Sequence, residues 1–490
     1  MTRRTFLSKT ATGPFVLRAR AVSKPNLLLL MADQHRGDWM GCSGNRAVQT
    51  PNLDRIASEG VRFSHAYSST PTCTPARSAL LTGMSPWQHG MLGYAAVAEK
   101  QRVEMPRVLR EAGYYTFGIG KMHWHPQRNL HGFHGTLLDE SGRIESYDFR
   151  SDYRAWFATE APNLNPDATG IGWNDYTARP YVLPERLHPT RWTGDCAVRF
   201  LESYERSEPW FLKVSFARPH SPYDAPQRLW DRYAQARLPE AQTGKWADKY
   251  RPRSWPADDI WHGDMGREAV RRARTGYSGS VSFVDEQIGR ILAALEKRHQ
   301  LDETLIVYLS DHGDMQGDHF LWRKSYPYEP SAHIPLLARG PGYRGGSVNA
   351  TPVEIRDVLP TLADAAGVAA PEACDGQPLG KAQRKWIDLE HDVCYSPSNH
   401  WTGLIDGQWK YIYHAFDGQE QLFDLHSDPH ELTDLTSDAS HTGMLRAWRS
   451  RMVAHLEPRG LEWVRGGNLV PRPQSMLYSP NYLDPHRGGF

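Results

Sequence analysis

A short apolar segment, Asn26 to Met31, leads directly into the polar cluster Asp33 to Gly37. An apolar run of this length predicts a strand that is buried on both faces, as in a parallel sheet. A helix predicted from Thr50 to Glu59 ends at Gly60, and Val61 to Tyr67 is the next predicted strand. This order predicts an α/β fold with a large central sheet, mixed but mostly parallel, flanked by helices.

The same alternation continues along the chain. A predicted helix from Arg107 to Ala112 precedes a predicted strand from Tyr114 to Ile119, and Phe211 to Phe216 and Thr304 to Leu309 are further predicted strands. Residues 126–191 are rich in aromatic residues, Gly, Asn and Pro, and predict long insertions over a binding face. A long core helix is predicted where apolar residues recur at spacings of three and four. These residues are Val270, Ala273, Tyr277, Val281, Val284, Ile288, Ile291 and Leu295.

Pro, Gly and polar residues between Ala370 and Lys385 indicate a domain boundary. Beyond it, Trp401 to Ile405, Lys410 to Tyr413 and Gln421 to Asp424 predict a small antiparallel meander, and a helix is predicted near Thr442 to Leu456. We therefore expect a leader at residues 1–22, a catalytic α/β domain at 23–375, and a smaller C-terminal subdomain of antiparallel strands plus a helix, with a tail, at 376–490.

The charge balance excludes several classes of partner. Among 490 residues, 57 Lys and Arg offset 56 Asp and Glu to a net charge of +1. No global field therefore attracts the protein to nucleic acid or to an anionic membrane, and any anion must be bound at a local site. No apolar run approaches the roughly 18 residues of a membrane span, so we expect no transmembrane segment.

The N-terminus resembles a twin-arginine export signal. Arg3 and Arg4 are followed by a weakly apolar stretch to Leu17 and by the small-basic-small sequence Ala19 to Ala21. Lys9 and Pro14 interrupt the apolar stretch, so an ordinary basic leader is the alternative. A working signal predicts a periplasmic or secreted protein, and a non-functional one a cytoplasmic protein.

Residues 73–83, CTPARSALLTG, predict an unusual helix start. Pro75 is placed in the first turn, so Cys73 lies at the helix N-terminus, where free amides and the dipole favour negative charge. Arg77 is four residues further along on the same helical face, so its guanidinium can bind the same anion as the Cys73 side chain. A tetrahedral oxyanion fits this arrangement, and a buried structural thiol is the alternative.

Two carboxylates are predicted at strand ends. Asp33-Gln34 and Asp311-His312 each follow a predicted strand, at the edge where open α/β sheets bind ligands. Two carboxylates with neutral oxygen or nitrogen donors suit one divalent cation, preferably a hard ion such as calcium or magnesium. Ordinary turn chemistry is the alternative for each Asp taken alone.

The chain resembles the type I sulfatases, the formylglycine-dependent family of the alkaline phosphatase superfamily. The resemblance rests on Cys73, Pro75 and Arg77 followed by Leu81-Thr82-Gly83, on Gly113 to His123, and on the segment from Gly407 to Leu432. It implies the fold of that superfamily and hydrolysis of a sulfate ester, on a carbohydrate or an aryl sulfate. It also implies that a formylglycine-generating enzyme oxidises Cys73 to formylglycine (3-oxoalanine), whose hydrate is the nucleophile.

The resemblance implies a metal site and a set of catalytic residues. The implied ligands of one divalent ion are Asp33, Gln34, Asp311, His312 and the modified Cys73. The implied ion is Ca²⁺, with Mg²⁺ and Mn²⁺ as alternatives. The implied catalytic residues are Cys73, Arg77, Lys121, His123, His220 and Lys324, of which Arg77, Lys121, His220 and Lys324 also bind substrate.

Two of these residues also make chemical sense by position. Lys121 and His123 are two apart at the end of a predicted extended segment, so an ammonium and an imidazole are expected on one side, although a solvated strand end is the alternative. In the implied mechanism Asp311 polarises the attacking hydroxyl, His220 beside Lys324 protonates the leaving alcohol, and His123 accepts the proton that releases sulfate.

Two other functions stay open. A phosphonate or phosphate mono- or diester hydrolase of the same superfamily shares the Cys73 to Arg77 sequence and the metal ligands, but is not expected to keep Lys121 and His123. A non-catalytic exported glycan-binding protein on this fold is the alternative from another class. Five scattered cysteines, with Cys73 as the expected free thiol, leave one or two disulfides among the other four open.

Overall fold

The computed structural model describes residues 24–141, 149–254 and 260–483. The predicted export signal at residues 1–22 lies outside the described residues. Among the helices that are described, none combines the length and the apolar character needed to cross a membrane. All five cysteines lie in the described residues as free thiols, and none of the disulfides left open by the sequence is present there.

Eight of the sixteen strands in the described residues form one central sheet. The strands are β1 Asn26–Asp33, β2 Val61–Phe63, β3 Ala66–Tyr67, β4 Tyr115–Gly120, β5 Gly135–Leu138, β6 Trp210–Pro219, β7 Thr304–Ser310, β8 Leu336–Arg339, β9 Ser347–Asn349, β10 Val353–Glu354, β11 Ile387–His391, β12 Trp401–Ile405, β13 Trp409–His414, β14 Gln419–Asp424, β15 Val464–Arg465 and β16 Asn468–Leu469. Within the described residues the order of the central sheet is β5-β4-β6-β1-β7-β8-β2-β9. β1, β4, β5, β6 and β7 run parallel, while β8 is antiparallel to both β7 and β2. The predicted mixed, mostly parallel sheet is confirmed.

The sheet is buried on both faces because its strands are apolar on both sides. Along β1, Leu27, Leu29 and Met31 contribute to one hydrophobic cluster, and the intervening Leu28 and Leu30 contribute to the cluster on the opposite face. Helices cover both faces. The helices of the described residues are α1 Pro51–Glu59, α2 Cys73–Thr82, α3 Pro86–His89, α4 Met105–Glu111, α5 Asp152–Glu160, α6 Pro189–Ser203, α7 Gln227–Gln235, α8 Arg267–Lys297, α9 Glu329–Ala332, α10 Val358–Ala365 and α11 Thr442–Leu456.

The C-terminal part forms a second, smaller sheet. β11 to β14 pair antiparallel in sequence order, and α11 packs against this sheet through Trp448, Met452 and Leu456. The predicted meander and helix are confirmed, and β11 is an additional strand. The boundary near residue 375 remains a prediction.

One predicted strand is wrong. Residues 61–67 do not form a single strand, because the chain changes direction at Ser64 and His65. β2 pairs with β8 and β9 in the central sheet, whereas β3 pairs with β10 in a separate ladder. The loop that follows β3 leads to Cys73, so this change of direction helps bring α2 to the edge of the sheet.

Candidate active site

The ends of two neighbouring parallel strands place two carboxylates together. Asp33 is the last residue of β1, Asp311 directly follows β7, and the preceding residues Ala32 and Ser310 are paired in the ladder. α2 begins at Cys73, as predicted, and its first residue faces these strand ends. The potential ligand atoms of Asp33, Cys73, Asp311 and His312 all lie within 4.8 Å of one another, and all four side chains are buried.

The donor atoms fit a divalent cation. The Oδ1 atom of Asp33 is buried and accepts no hydrogen bond within the described residues, although leaving a charged oxygen unsatisfied in the interior is costly. The Nδ1 atom of His312 lies 2.9 Å from the Gly313 carbonyl oxygen, so Nδ1 carries the proton and Nε2 presents its lone pair to the cluster. That Nε2 atom lies 3.1 Å from Cys73 Sγ and 3.7 Å from Asp311 Oδ1.

Gln34 lies beside the cluster with its side chain engaged elsewhere. Its backbone N–H donates to Asp311 Oδ1 at 3.0 Å, and its Nε2 donates to Asp314. Its Oε1 accepts a hydrogen bond of 2.8 Å from Lys324 Nζ. The amide oxygen that would bind a metal is therefore shared with Lys324, and the ligand role of Gln34 stays a prediction.

Arg77 orients the two carboxylates. Its Nε donates to Asp311 Oδ2 at 2.8 Å and its Nη2 to Asp33 Oδ2 at 3.1 Å. Its Nη1 donates to the Lys121 carbonyl at 2.7 Å and to Ser215 Oγ at 3.2 Å. Because most of its N–H groups are used in this way, Arg77 fixes the metal ligands, and its contact with an anion remains a prediction.

Lys121 and His123 lie in a turn that follows β4, not at the end of an extended segment as predicted. Gly120 ends the strand with φ +91°, and a Cβ atom there would lie 2.1 Å from the Ser215 carbonyl oxygen, so the turn requires glycine. Lys121 Nζ forms an ion pair with Asp33. His123 Nε2 lies 3.5 Å from the Tyr94 hydroxyl.

His220 and Lys324 form a pair. The His220 Nε2 atom accepts from Lys324 Nζ at 2.8 Å, while its Nδ1 lies 2.8 Å from the Ser221 carbonyl oxygen and donates to it. Burial, reinforced by the Lys324 ammonium, lowers the pKa of His220 well below its ordinary value. The imidazole is therefore neutral and accepts the hydrogen bond from Lys324.

The local charges favour ionised groups despite full burial. Although burial opposes ionisation, the cations Lys121, Arg77 and Lys324 hold the pKa of Asp33 well below its ordinary value. Burial and Asp33 act to raise the pKa of the Cys73 thiol, but the cations Lys324 and Lys121 outweigh them. The pKa is therefore lowered to about 7. A charged sulfur or oxygen at position 73 is thus stabilised by neighbouring cations.

Two residues near the site were not identified from the sequence. Glu140 accepts the backbone N–H groups of Met122 and His123, both at 3.0 Å, and so holds the turn that carries the predicted imidazole. The Trp173 ring stacks on the His220 imidazole with centroids 4.1 Å apart. Only the aromatic-rich composition of residues 126–191 pointed to that region.

Comparisons with known proteins agree with this arrangement. Residues 25–368 match the family model described as Sulfatase, and residues 317–457 match the model described as N-sulphoglucosamine sulphohydrolase, C-terminal. An arylsulfatase of Clostridium perfringens (strain 13 / Type A) is 37% identical over 475 residues, covering 91% of this chain and 97% of the relative. A choline-sulfatase of Rhizobium meliloti (strain 1021) is 33% identical and covers 88% of this chain and 87% of the relative.

A solved structure gives the same fold. The phosphonate monoester hydrolase of Agrobacterium radiobacter superposes with a TM-score of 0.73 at 24% identity, over 91% of this chain and 99% of that one. The chain belongs to the sulfatase family of the alkaline phosphatase superfamily. It is therefore a sulfuric ester hydrolase.

Proposed function

We propose that the protein hydrolyses a carbohydrate or aryl sulfate ester to an alcohol and inorganic sulfate, with formylglycine at position 73 as the source of the nucleophile. The observation that carries this proposal is the position of the Cys73 side chain. Its sulfur belongs to the same 4.8 Å cluster as the ligand atoms of Asp33, Asp311 and His312. A purely structural thiol needs neither the two carboxylates nor the cations that surround this one.

The residues of the cluster would hold one divalent ion through Asp33, Asp311, His312 and the modified side chain at 73, with Gln34 as the remaining proposed ligand. Two carboxylates favour a hard ion, so Ca²⁺ is proposed ahead of Mg²⁺ and Mn²⁺. When present, the formylglycine hydrate supplies the hydroxyl that attacks sulfur, and the ion supplies the charge that polarises it.

The protein's own charges suit a sulfate monoester. Asp33 and Asp311 are offset by Arg77, Lys121 and Lys324, so these five side chains carry one net positive charge before any ion is bound. Lys121 contacts Asp33 and Lys324 contacts Gln34, and both ammonium groups would contact the sulfate oxygens. Fixed cations in a buried site stabilise negative charge that develops in the transition state.

The proton for the leaving alcohol comes from the Lys324–His220 pair. Lys324 Nζ donates to His220 Nε2, so this hydrogen bond holds the proton that is transferred, although the imidazole itself is neutral. Transfer to the ester oxygen prevents release of a free alkoxide. His123, held by the Glu140 contacts with its turn, is the proposed base for the later step that frees sulfate.

A phosphonate or phosphate ester hydrolase is the second candidate, because the solved structure of similar fold is a phosphonate monoester hydrolase. The presence of both Lys121 and His123 favours sulfate. The test compares release of 4-nitrophenol from 4-nitrophenyl sulfate and from 4-nitrophenyl phenylphosphonate by one preparation. Higher kcat/KM for the sulfate supports the proposal, and higher kcat/KM for the phosphonate overturns it. Cys73→Ala is the control in both assays, and a protein that only binds glycans would release neither product.

Maturation and location complete the proposal. A formylglycine-generating enzyme is the proposed partner, because Cys73 must be oxidised before the hydrate can form. Export to the periplasm or the medium through residues 1–22 is proposed from the Arg3-Arg4 leader. The proposed domain boundary remains near residue 375, after α10.

A further inference from the structure

Trp173 covers two of the proposed catalytic side chains. Its ring is stacked on the His220 imidazole at 4.1 Å between centroids and 21° between planes. The Lys121 ammonium lies 4.4 Å from the centroid of the same indole. One aromatic side chain thus contacts both a group of the proton-donating pair and a proposed sulfate-binding cation.

The turn that carries Trp173 is attached to the active site on both sides of the indole. Ser221, the residue after His220, donates through Oγ to the Gly172 carbonyl at 3.2 Å and to the Asp175 carbonyl. The hydroxyl of Tyr176 lies 3.4 Å from Gln34 Nε2. These contacts fix the backbone on either side of Trp173, so the placement of the indole is a feature of the site and not of a loose loop.

The Trp173 indole is more exposed to solvent than the side chains that it contacts. Lys121 is 0% exposed, His220 1% and Cys73 2%, whereas Trp173 is only partly buried. The indole therefore lies on the outer side of the sulfate-binding groups. Because Lys324 and His220 donate the proton to the ester oxygen, the leaving alcohol lies beside His220, the side chain on which Trp173 is stacked.

We propose that Trp173 contacts the substrate and forms a wall of the leaving-group subsite, where it selects alcohols that present a flat apolar face. This inference rests on the proposed sulfatase function and deepens it. An aromatic ring and the C–H face of a sugar ring both provide this chemistry, since both pack against an indole. The Lys121 ammonium, 4.4 Å from the ring centroid, adds a cation–π contact that keeps the indole oriented.

The test uses Trp173→Ala and Trp173→Phe, with Trp386→Ala as the matched control, because Trp386 is 38% exposed and outside the site. Removing the ring is expected to lower kcat/KM for 4-nitrophenyl sulfate by about tenfold, mainly through KM. Trp173→Phe is expected to restore most of this loss. Inhibition by inorganic sulfate, which has no leaving group, is expected to change by less than about threefold.

The outcomes separate this inference from the function on which it rests. Glucosamine 6-sulfate is assayed beside the aryl ester, and the substrate whose kcat/KM falls in Trp173→Ala identifies the source of the flat face. The role of Trp173 is overturned if Trp173→Ala weakens inhibition by inorganic sulfate as much as it lowers kcat/KM for both esters. It is also overturned if kcat/KM falls for neither ester. Both outcomes leave the sulfatase function intact. Absence of sulfate release by the wild-type, converted enzyme would overturn the function itself. Thermal melts of all variants check that each is folded.

Discussion

Both carboxylate oxygens of Asp311 accept hydrogen bonds from the protein. Its Oδ2 accepts from Arg77 Nε, while its Oδ1 accepts the backbone N–H groups of Gln34 and His312 at 3.0 and 3.1 Å. The carboxylate is therefore oriented before an ion binds, which reduces the cost of assembling the site.

Asp311→Asn is expected to weaken binding of the divalent ion by about 100-fold, because one of two anionic ligands is lost. The measurement is metal content by atomic emission after dialysis, together with the rise in melting temperature on adding CaCl₂. Asp302→Asn is the control, since Asp302 is exposed and pairs with Arg339 outside the site. Retention of a full equivalent of metal by Asp311→Asn would contradict the assigned ligand set.

His220→Ala is expected to slow the hydrolysis of esters with poor leaving alcohols by about 100-fold or more, and of 4-nitrophenyl sulfate much less. The reason is that a good leaving group departs without protonation, so the Lys324–His220 pair matters least there. The measurement is the slope of log kcat/KM against the pKa of the leaving alcohol. A slope unchanged from wild type would show that the pair does not supply the proton.

At the residue level, the positions of functional side chains were easiest to predict where those residues lie at the end of a strand. Asp33 and Asp311 were found because adjacent parallel strands place their carboxyl ends together. Glu140 was missed because it acts on backbone N–H groups of a distant turn, for which one sequence carries no pattern. The engagement of Arg77 with both carboxylates was also missed, since spacing along a helix indicates a face but not which anion lies opposite.

Between elements, a buried triad connects the loops after β1 and β7 with α8. Asp318 Oδ2 accepts from Arg36 at 2.7 Å, and its Oδ1 accepts from Arg274 at 2.8 Å. Although burial opposes ionisation, Arg274 and Arg36 lower the pKa of Asp318 to about 2. Because Arg36 lies in the loop that follows Asp33 and Asp318 in the loop that begins with Asp311, this triad holds both strand-end loops in place.

Asp318→Asn is expected to reduce the free energy of unfolding by about 3 kcal/mol at pH 7, because two buried guanidinium groups lose their shared anion. The folded-state pKa of about 2 lies below the ordinary 3.8, so this stability is present above about pH 4 and is lost as the pH falls toward 2. Urea unfolding from pH 7 to pH 3 should show the difference from wild type shrinking below pH 4. Asp248→Asn, in an exposed pair with Arg251, is the control, and a similar small loss in both variants would contradict the prediction.

The secondary structure was predictable where periodicity was long and uniform. α8 and β7 agree with their predicted positions because each has an unbroken apolar pattern. Residues 61–67 were assigned to one strand because the short sequence VRFSHAY shows no breaker, yet its two halves find partners in different ladders. β11 was missed, although its alternating sequence IDLEH matches a half-buried strand.

Across the whole molecule, the C-terminal sheet shares a hydrophobic core with the catalytic part. One buried cluster combines Tyr326 and Tyr328 from the loop after β7 with Trp401, Ile412 and Phe423 from the small sheet. Lys324 lies in that same loop, so the packing of the C-terminal sheet reaches a proposed catalytic residue. A core shared in this way couples the folding of the two parts.

The two parts are therefore expected to unfold together. Differential scanning calorimetry should give a single transition, and Phe423→Ala in the small sheet should lower the melting temperature of that whole transition. The expected loss is about 3 kcal/mol, because the aromatic ring leaves a cavity in the shared cluster. Two separate transitions, with only one shifted by Phe423→Ala, would show that the small sheet is an independent unit.

The most direct measurement relates catalysis to the chemical state of residue 73. The protein is produced with different amounts of a coexpressed formylglycine-generating enzyme. For each preparation, peptide mass spectrometry across residue 73 gives the formylglycine fraction, and an assay with 4-nitrophenyl sulfate gives the rate of sulfate release. The proposed mechanism predicts that turnover per chain rises in proportion to the formylglycine fraction and extrapolates to zero when every chain retains the thiol. Turnover that is independent of this fraction would contradict the role of Cys73.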